Sequence, residues 1–108
     1  MKILIDKKLE KRLEKNDIQL LTRTKDLLAK FPLYFKDLND YDKKVVRKIN
    51  TDKFNVYSAK VDLSNRLIFT AAFDPENTLN IALLDVIKKD KTGARYVSTF
   101  KSAVPNRR

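Results

Sequence analysis

Read from its first residue, the chain opens on a short alternation in which Ile3 and Ile5 are interleaved with Lys2, Leu4 and Asp6, which predicts a brief strand. From Lys7 the spacing becomes helical, with Leu9 and Leu13 four residues apart among Lys and Glu. Asn16 and Asp17 interrupt that run, and Asp17 is a good N-cap for a second helix. Ile18, Leu20, Leu21, Leu27, Leu28 and Phe31 give this helix an apolar stripe, and Pro32 is expected to end it. Leu33, Tyr34 and Phe35 form an apolar patch expected to pack back on the core. Residues 37–42 are expected to form a loop, followed by a short helix through Val45, Val46 and Ile49.

After Asn50 the pattern turns to strands. Residues 55–62, with Val56, Tyr57 and Val61, predict one strand, which places Lys60 within it. A short turn at Leu63, Ser64 and Asn65 leads to a second strand over 66–73, opened by Arg66. Asp74, Pro75, Glu76 and Asn77 are a strong turn signal, because proline presets φ at the second turn position. Residues 79–87 are apolar except for Asn80 and Asp85 and predict a central buried strand. Two tight connections in succession make an antiparallel meander. The order therefore predicts an α+β fold: an N-terminal strand and helices on one face of a small, twisted, mainly antiparallel sheet, with the other face left for function.

Composition narrows the chemistry. The 108 residues fit one domain, 1–108, with a basic tail at about 97–108, and 43% hydrophobic residues suffice for a core. With neither cysteine nor histidine, the chain has no disulfide, no thiolate metal site and none of the commonest general base. Lys, Arg, Tyr, Asp and Glu remain for acid–base work. No spacing marks a metal-binding or catalytic carboxylate pair, and the single glycine, Gly93, excludes a phosphate-cradling glycine loop. Neither a metal nor a cofactor is expected. No apolar run reaches the length of a secretory signal or a membrane span, so a cytoplasmic location without membrane attachment is expected.

The charge is more informative. It totals +10, from 24 basic and 14 acidic side chains, and it is segregated. Residues 1–54 and 88–108 each carry a net +6, whereas residues 55–87 carry −2. Such segregation suits a basic face presented to a polyanion such as RNA. Within the acidic stretch, Lys60 and Arg66 stand out. They are either ordinary edge-strand charge or a pair turned toward a phosphate, for which the planar guanidinium of Arg66 is well shaped. Lys88, Lys89 and Lys91 follow the buried strand, beside Arg95 and Tyr96. Tyr96 has two readings, packing at the sheet edge or stacking and proton transfer. Lys101, Arg107 and Arg108 give the tail its charge. The RNA-binding candidates are thus Lys88, Lys91, Arg95, Lys101, Arg107 and Arg108.

The run Tyr57-Ser-Ala-Lys60-Val-Asp-Leu-Ser-Asn-Arg66-Leu-Ile-Phe, preceded by a short strand and helices, resembles the RelE/ParE toxin superfamily of bacterial toxin–antitoxin systems. Leu83-Leu-Asp-Val-Ile-Lys-Lys-Asp-Lys91 is similar to that family's last core strand running into a basic segment. The resemblance covers about residues 50–96, and 1–31 in element order. It implies a cognate antitoxin and, for RelE-like members, endoribonuclease action on ribosome-bound mRNA without a metal, by attack of a ribose 2′-OH on its neighbouring phosphate. By position it implies catalytic roles for Lys60, Arg66, Lys89 and Tyr96, with Lys89 where a second arginine usually sits. The sequence departs from the pattern at Ser58, where ribosome-dependent members often carry a base, and residues 32–50 lack a counterpart. A ParE-like member would instead act on DNA gyrase, and a non-catalytic RNA- or ribosome-binding module is the third reading.

Overall fold

The computed structural model describes residues 1–49 and 55–89. Strand β1 (Lys2–Leu4) leads into helices α1 (Lys7–Asn16) and α2 (Ile18–Ala29). Both helices start on an aspartate cap: the Asp6 carboxylate accepts the Lys8 N–H at 2.9 Å, and the Asp17 carboxylate accepts the Leu20 N–H at 3.0 Å. Leu9 and Leu13 of α1 are buried, as are Leu20, Leu21, Thr24 and Leu27 of α2. The buried Thr24 hydroxyl is satisfied by donating to the Leu20 carbonyl at 2.8 Å. Lys25 pairs with Glu10 at 3.1 Å across the two helices.

Contrary to the expectation from the sequence, Pro32 does not end α2. That helix stops at Ala29, and Pro32 lies in the first turn of a separate one-turn helix, α3 (Phe31–Tyr34), where its fixed φ and missing N–H cost nothing. The middle of the chain also departs from expectation. The anticipated loop over 37–42 is part of a hairpin, β2 (Phe35–Asp37) paired antiparallel with β3 (Asp40–Tyr41). The anticipated helix at 45–49 is strand β4 (Val46–Ile49), antiparallel to β5 (Val56–Lys60). Spacing of Val45, Val46 and Ile49 fits a helical turn, but β-branched residues pair readily, and the ladder with β5 decides the outcome.

The meander is as read: β5, β6 (Asn65–Phe73) and β7 (Leu79–Lys88) follow one another antiparallel. Strand β1 adds parallel to β7, with Ile3 opposite Ile81, completing a sheet of order β1-β7-β6-β5-β4. The turn between β6 and β7 is held by the Asp74 carboxylate, which accepts the N–H groups of Glu76 and Thr78, each at 2.9 Å. Asn77 occupies the left-handed region there, at φ 64°, which asparagine tolerates better than most residues. A register shift between Ile68 and Phe69 moves the facing residue from Asp85 to Leu83, a bulge in β7 that brings Leu83 and Val86 to the same core.

On the helix side, Phe31, Phe35, Tyr57 and Phe69 are fully buried and their rings interlock, with centroids 5.0 Å apart for Phe31–Phe69 and for Phe35–Tyr57. The Tyr57 hydroxyl donates to the Leu38 carbonyl at 2.8 Å, tying the β2–β3 hairpin to the sheet. Burial pushes this phenol above its ordinary pKa, with Tyr41 and Asp37 adding to the effect. The sheet's second face is not simply open, contrary to expectation. Val56 and Ile68 are fully buried there, with Ile49, Leu84 and Ile87 packed around them. Strands β6 and β7 are apolar on both faces, and both faces bury apolar side chains.

Candidate functional site

One end of the sheet collects positive charge. Lys60 is the last residue of β5, rather than mid-strand, and its cross-strand partner on β6 is Arg66. Arg66 in turn lies opposite Ile87 of β7, and Asn65 opposite Lys88. Directly opposed residues share a sheet face, so Lys60 and Arg66 are like-charged neighbours. Lys60 is exposed and Arg66 half-buried. Among the described residues neither side chain makes a hydrogen bond or an ion pair. Lys89 reaches the same end through its backbone, whose N–H donates to the Ser64 carbonyl at 2.8 Å.

The turn that joins these strands is rigidly built. The Asp62 carboxylate accepts the backbone N–H groups of Ser64 and Asn65, each at 2.8 Å, and the Asn65 side-chain amide at 3.1 Å. Arg23 of α2 meets its other oxygen at 3.3 Å. Burial pushes the Asp62 carboxyl up, but these donors and the Arg23 charge outweigh it and hold the group below the ordinary carboxylate range. Arg23 is thereby engaged, whereas Lys60 and Arg66 are not.

Strand β4, expected as a helix, brings a further cation to this face. In β4, Arg47 lies directly opposite Ser58 of β5, on the face shared by Lys60 and Arg66. Ser58 itself is 4% exposed and has no room for a long basic side chain. The run Val46-Arg47-Lys48-Ile49 carries no period-2 signal, because its two apolar residues pack on opposite faces of the sheet, so the strand shows only in its ladder with β5. Of the residues singled out from sequence, Lys60, Arg66, Lys88 and Lys89 gather at this end of the sheet. Tyr96, Lys91, Arg95, Lys101, Arg107 and Arg108 lie outside the described residues.

Beside this end, on the helix side, is an open cleft of about 340 Å³. Helix α2 supplies Arg23, Asp26 and Leu27, and Lys30 and Tyr34 follow from its C-terminus and α3. The facing wall is Val45, Lys60 and Val61. Strand β4 begins at Val46, opposite Ala59, so Lys60 is held on that side only by its N–H to the Val45 carbonyl, at 2.9 Å. Lys60 thus lines the cleft at the sheet edge, while the alternation of β5 sets its side chain on the Arg66 face, away from the helices. No helix among the described residues is long and apolar enough to cross a membrane, and they contain no cluster of acidic side chains able to hold a metal ion.

No family model and no curated protein matches this sequence. Solved structures do match. A YoeB/ParE toxin from Agrobacterium tumefaciens superposes with a TM-score of 0.57 at 10% identity, over 82% of this chain and 98% of that one. A chain of the YoeB–YefM complex from Staphylococcus aureus gives a TM-score of 0.52 at 17% identity, over 80% and 93% of the two chains. The YoeB dimer from the same organism gives 0.50 at 20% identity, over 76% and 91%. The protein therefore shares the α+β fold of these YoeB/ParE and YoeB structures, as expected from the sequence.

Proposed function

We propose that this protein is the toxin of a toxin–antitoxin pair and a metal-independent endoribonuclease that cuts ribosome-bound mRNA in the cytoplasm. The observation that carries the reading is the Lys60–Arg66 pair. Two cations face each other with no counter-charge among the described residues, on a fold shared with YoeB toxins. A structural role would normally come with a carboxylate partner, as Arg12 has in Asp85 and Arg23 in Asp62. An unneutralised pair is suited to an anionic ligand that arrives from solution.

In the proposed reaction a base takes the proton from a ribose 2′-OH, and the 2′ oxygen bonds to the adjacent phosphorus. The bond to the 5′ oxygen of the next nucleotide breaks, and an acid returns a proton to that oxygen. The products are a 2′,3′-cyclic phosphate and a 5′-OH. Arg66 stabilises the charge that builds on the phosphoryl oxygens, since its guanidinium grips two oxygens at once and stays protonated. Lys60 shares this role or moves a proton, and Arg47 extends the cationic face toward β4. Lys89, Lys88 and the basic residues beyond them would hold the RNA backbone, and Tyr96 would serve the second proton transfer. An antitoxin would cover this end with an acidic or amphipathic segment.

Controlled expression in a bacterial host, with primer-extension mapping of mRNA ends, tests the reading. Growth arrest with new ends inside translated frames, lost in Arg66→Ala and Tyr96→Ala, is the expected result. Arrest without cleavage would replace it with a gyrase-directed toxin. Absence of both arrest and cleavage would leave a basic RNA-binding module.

A further inference from the structure

The cleft beside Lys60 has a composition that the cleavage chemistry does not require. Its apolar wall of Leu27, Val45 and Val61, next to the half-buried ring of Tyr34, is the kind of surface on which a flat heterocycle rests. Lys30 and Lys60 stand exposed at its border, and among the described residues neither side chain is neutralised by an ion pair. Asp26 is the one acid of the wall. It too makes no hydrogen bond or ion pair within the described structure. The volume, about 340 Å³, lies at the small end of ligand pockets and suits one nucleotide.

These features select among polyanions. An acidic peptide would bring its carboxylates toward Asp26, and the like charge would oppose it. A nucleotide meets each group with its complement: phosphate oxygens at Lys30 and, over the sheet edge, toward the Lys60–Arg66 pair, the ring on the apolar wall, and an exocyclic amino group donating to the Asp26 carboxylate. We infer that the cleft binds a single nucleotide carrying an amino-bearing base (adenine, cytosine or guanine), and so reads one base of the RNA beside the Lys60–Arg66 pair. The inference rests on the RNA-directed reading for the source of that nucleotide, but the site can be tested without any cleavage.

The test uses the purified full chain with isotope-labelled methyl groups, titrated with AMP, CMP and UMP and observed by NMR. AMP and CMP should shift the methyls of Leu27, Val45 and Val61, and should bind about tenfold more tightly than UMP, the worth of one charge-assisted hydrogen bond. Asp26→Asn should erase the preference against UMP. Lys30→Gln should weaken all three nucleotides alike. Methyls unmoved by any nucleotide, equal binding of UMP, or shifts confined to other surfaces would overturn the proposal. So would an acidic hexapeptide that moves these methyls when the nucleotides do not, because the cleft would then be a protein-docking site. Failure of cleavage in cells, with the nucleotide preference intact, would sink the nuclease reading and leave the cleft assignment standing.

Discussion

Replacing Lys60 and Arg66 by glutamine, singly and together, is expected to leave the protein as stable as the wild type or slightly more so. The two residues are cross-strand partners, and directly opposed Cα atoms lie about 4.5–5.5 Å apart. Their flexible ends can separate further, to roughly 8 Å, where two like charges in water repel by about 0.5 kcal/mol. Glutamine keeps much of each aliphatic stem, so the packing of half-buried Arg66 is largely preserved. Each single substitution should relieve the same repulsion, and the double variant should relieve it only once. The cycle should therefore be non-additive by about 0.5 kcal/mol. Urea unfolding followed by circular dichroism measures this, at about 0.02 M and 1 M salt. The coupling should vanish at the higher concentration, where the screening length falls to about 3 Å. Losses above about 1 kcal/mol in both single variants at both salt concentrations would refute the reasoning, because they would mean that hidden partners hold these cations as structural elements.

The core and the turn offer further checks. Phe35→Ala removes a fully buried ring that packs on Phe31, Tyr57 and Phe69, and should cost about 3–5 kcal/mol, a large part of a small domain's stability, seen as a lower urea midpoint. Tyr57→Phe keeps the ring but strands the Leu38 carbonyl, and should cost about 1 kcal/mol in the same assay. The Asp62 carboxyl has a lowered pKa in the folded chain, so its contribution is present above the unfolded carboxylate range and is lost as pH falls through the folded value. The urea midpoint should drop on acidification below about pH 4, and Asp62→Asn should flatten that drop. An equally steep acid slope in the variant would assign the effect to other carboxylates, Asp74 first among them, whose pKa is lowered mainly by the Thr78 N–H.

What was legible in the sequence follows from how local each signal is. The two long helices announce themselves because Asp6 and Asp17 cap them and the leucines keep helical period. The meander is readable because Asp62 and Asp74 build short turns between apolar runs. Strand β4 was not, because four residues containing Val46 and Ile49 satisfy a helical turn as well as a strand, and only the distant ladder with β5 separates the two. Arg47 was hidden by the same ambiguity. The parallel docking of β1 on β7 joins residues nearly eighty positions apart and leaves no local trace. Burial of both sheet faces follows from the largely apolar runs 67–73 and 79–87, broken only at Thr70, Asn80 and Asp85, whereas the gathering of the helices at the front of the chain suggests a covered face and an open one. Lys60 and Arg66 were found because charge is rare in that part of the chain. That neither has an ion-pair partner among the described residues is visible only in three dimensions.

The central claim is that this unneutralised pair acts on RNA. Its most direct test is cleavage of an end-labelled message positioned on purified ribosomes, by wild-type protein and by Arg66→Gln protein shown to be folded by the urea assay. The account predicts cutting of the ribosome-bound message by the wild type, slower by about a hundredfold or more in the variant, as for removal of one charge-stabilising group. Equal cleavage by the two proteins would contradict it.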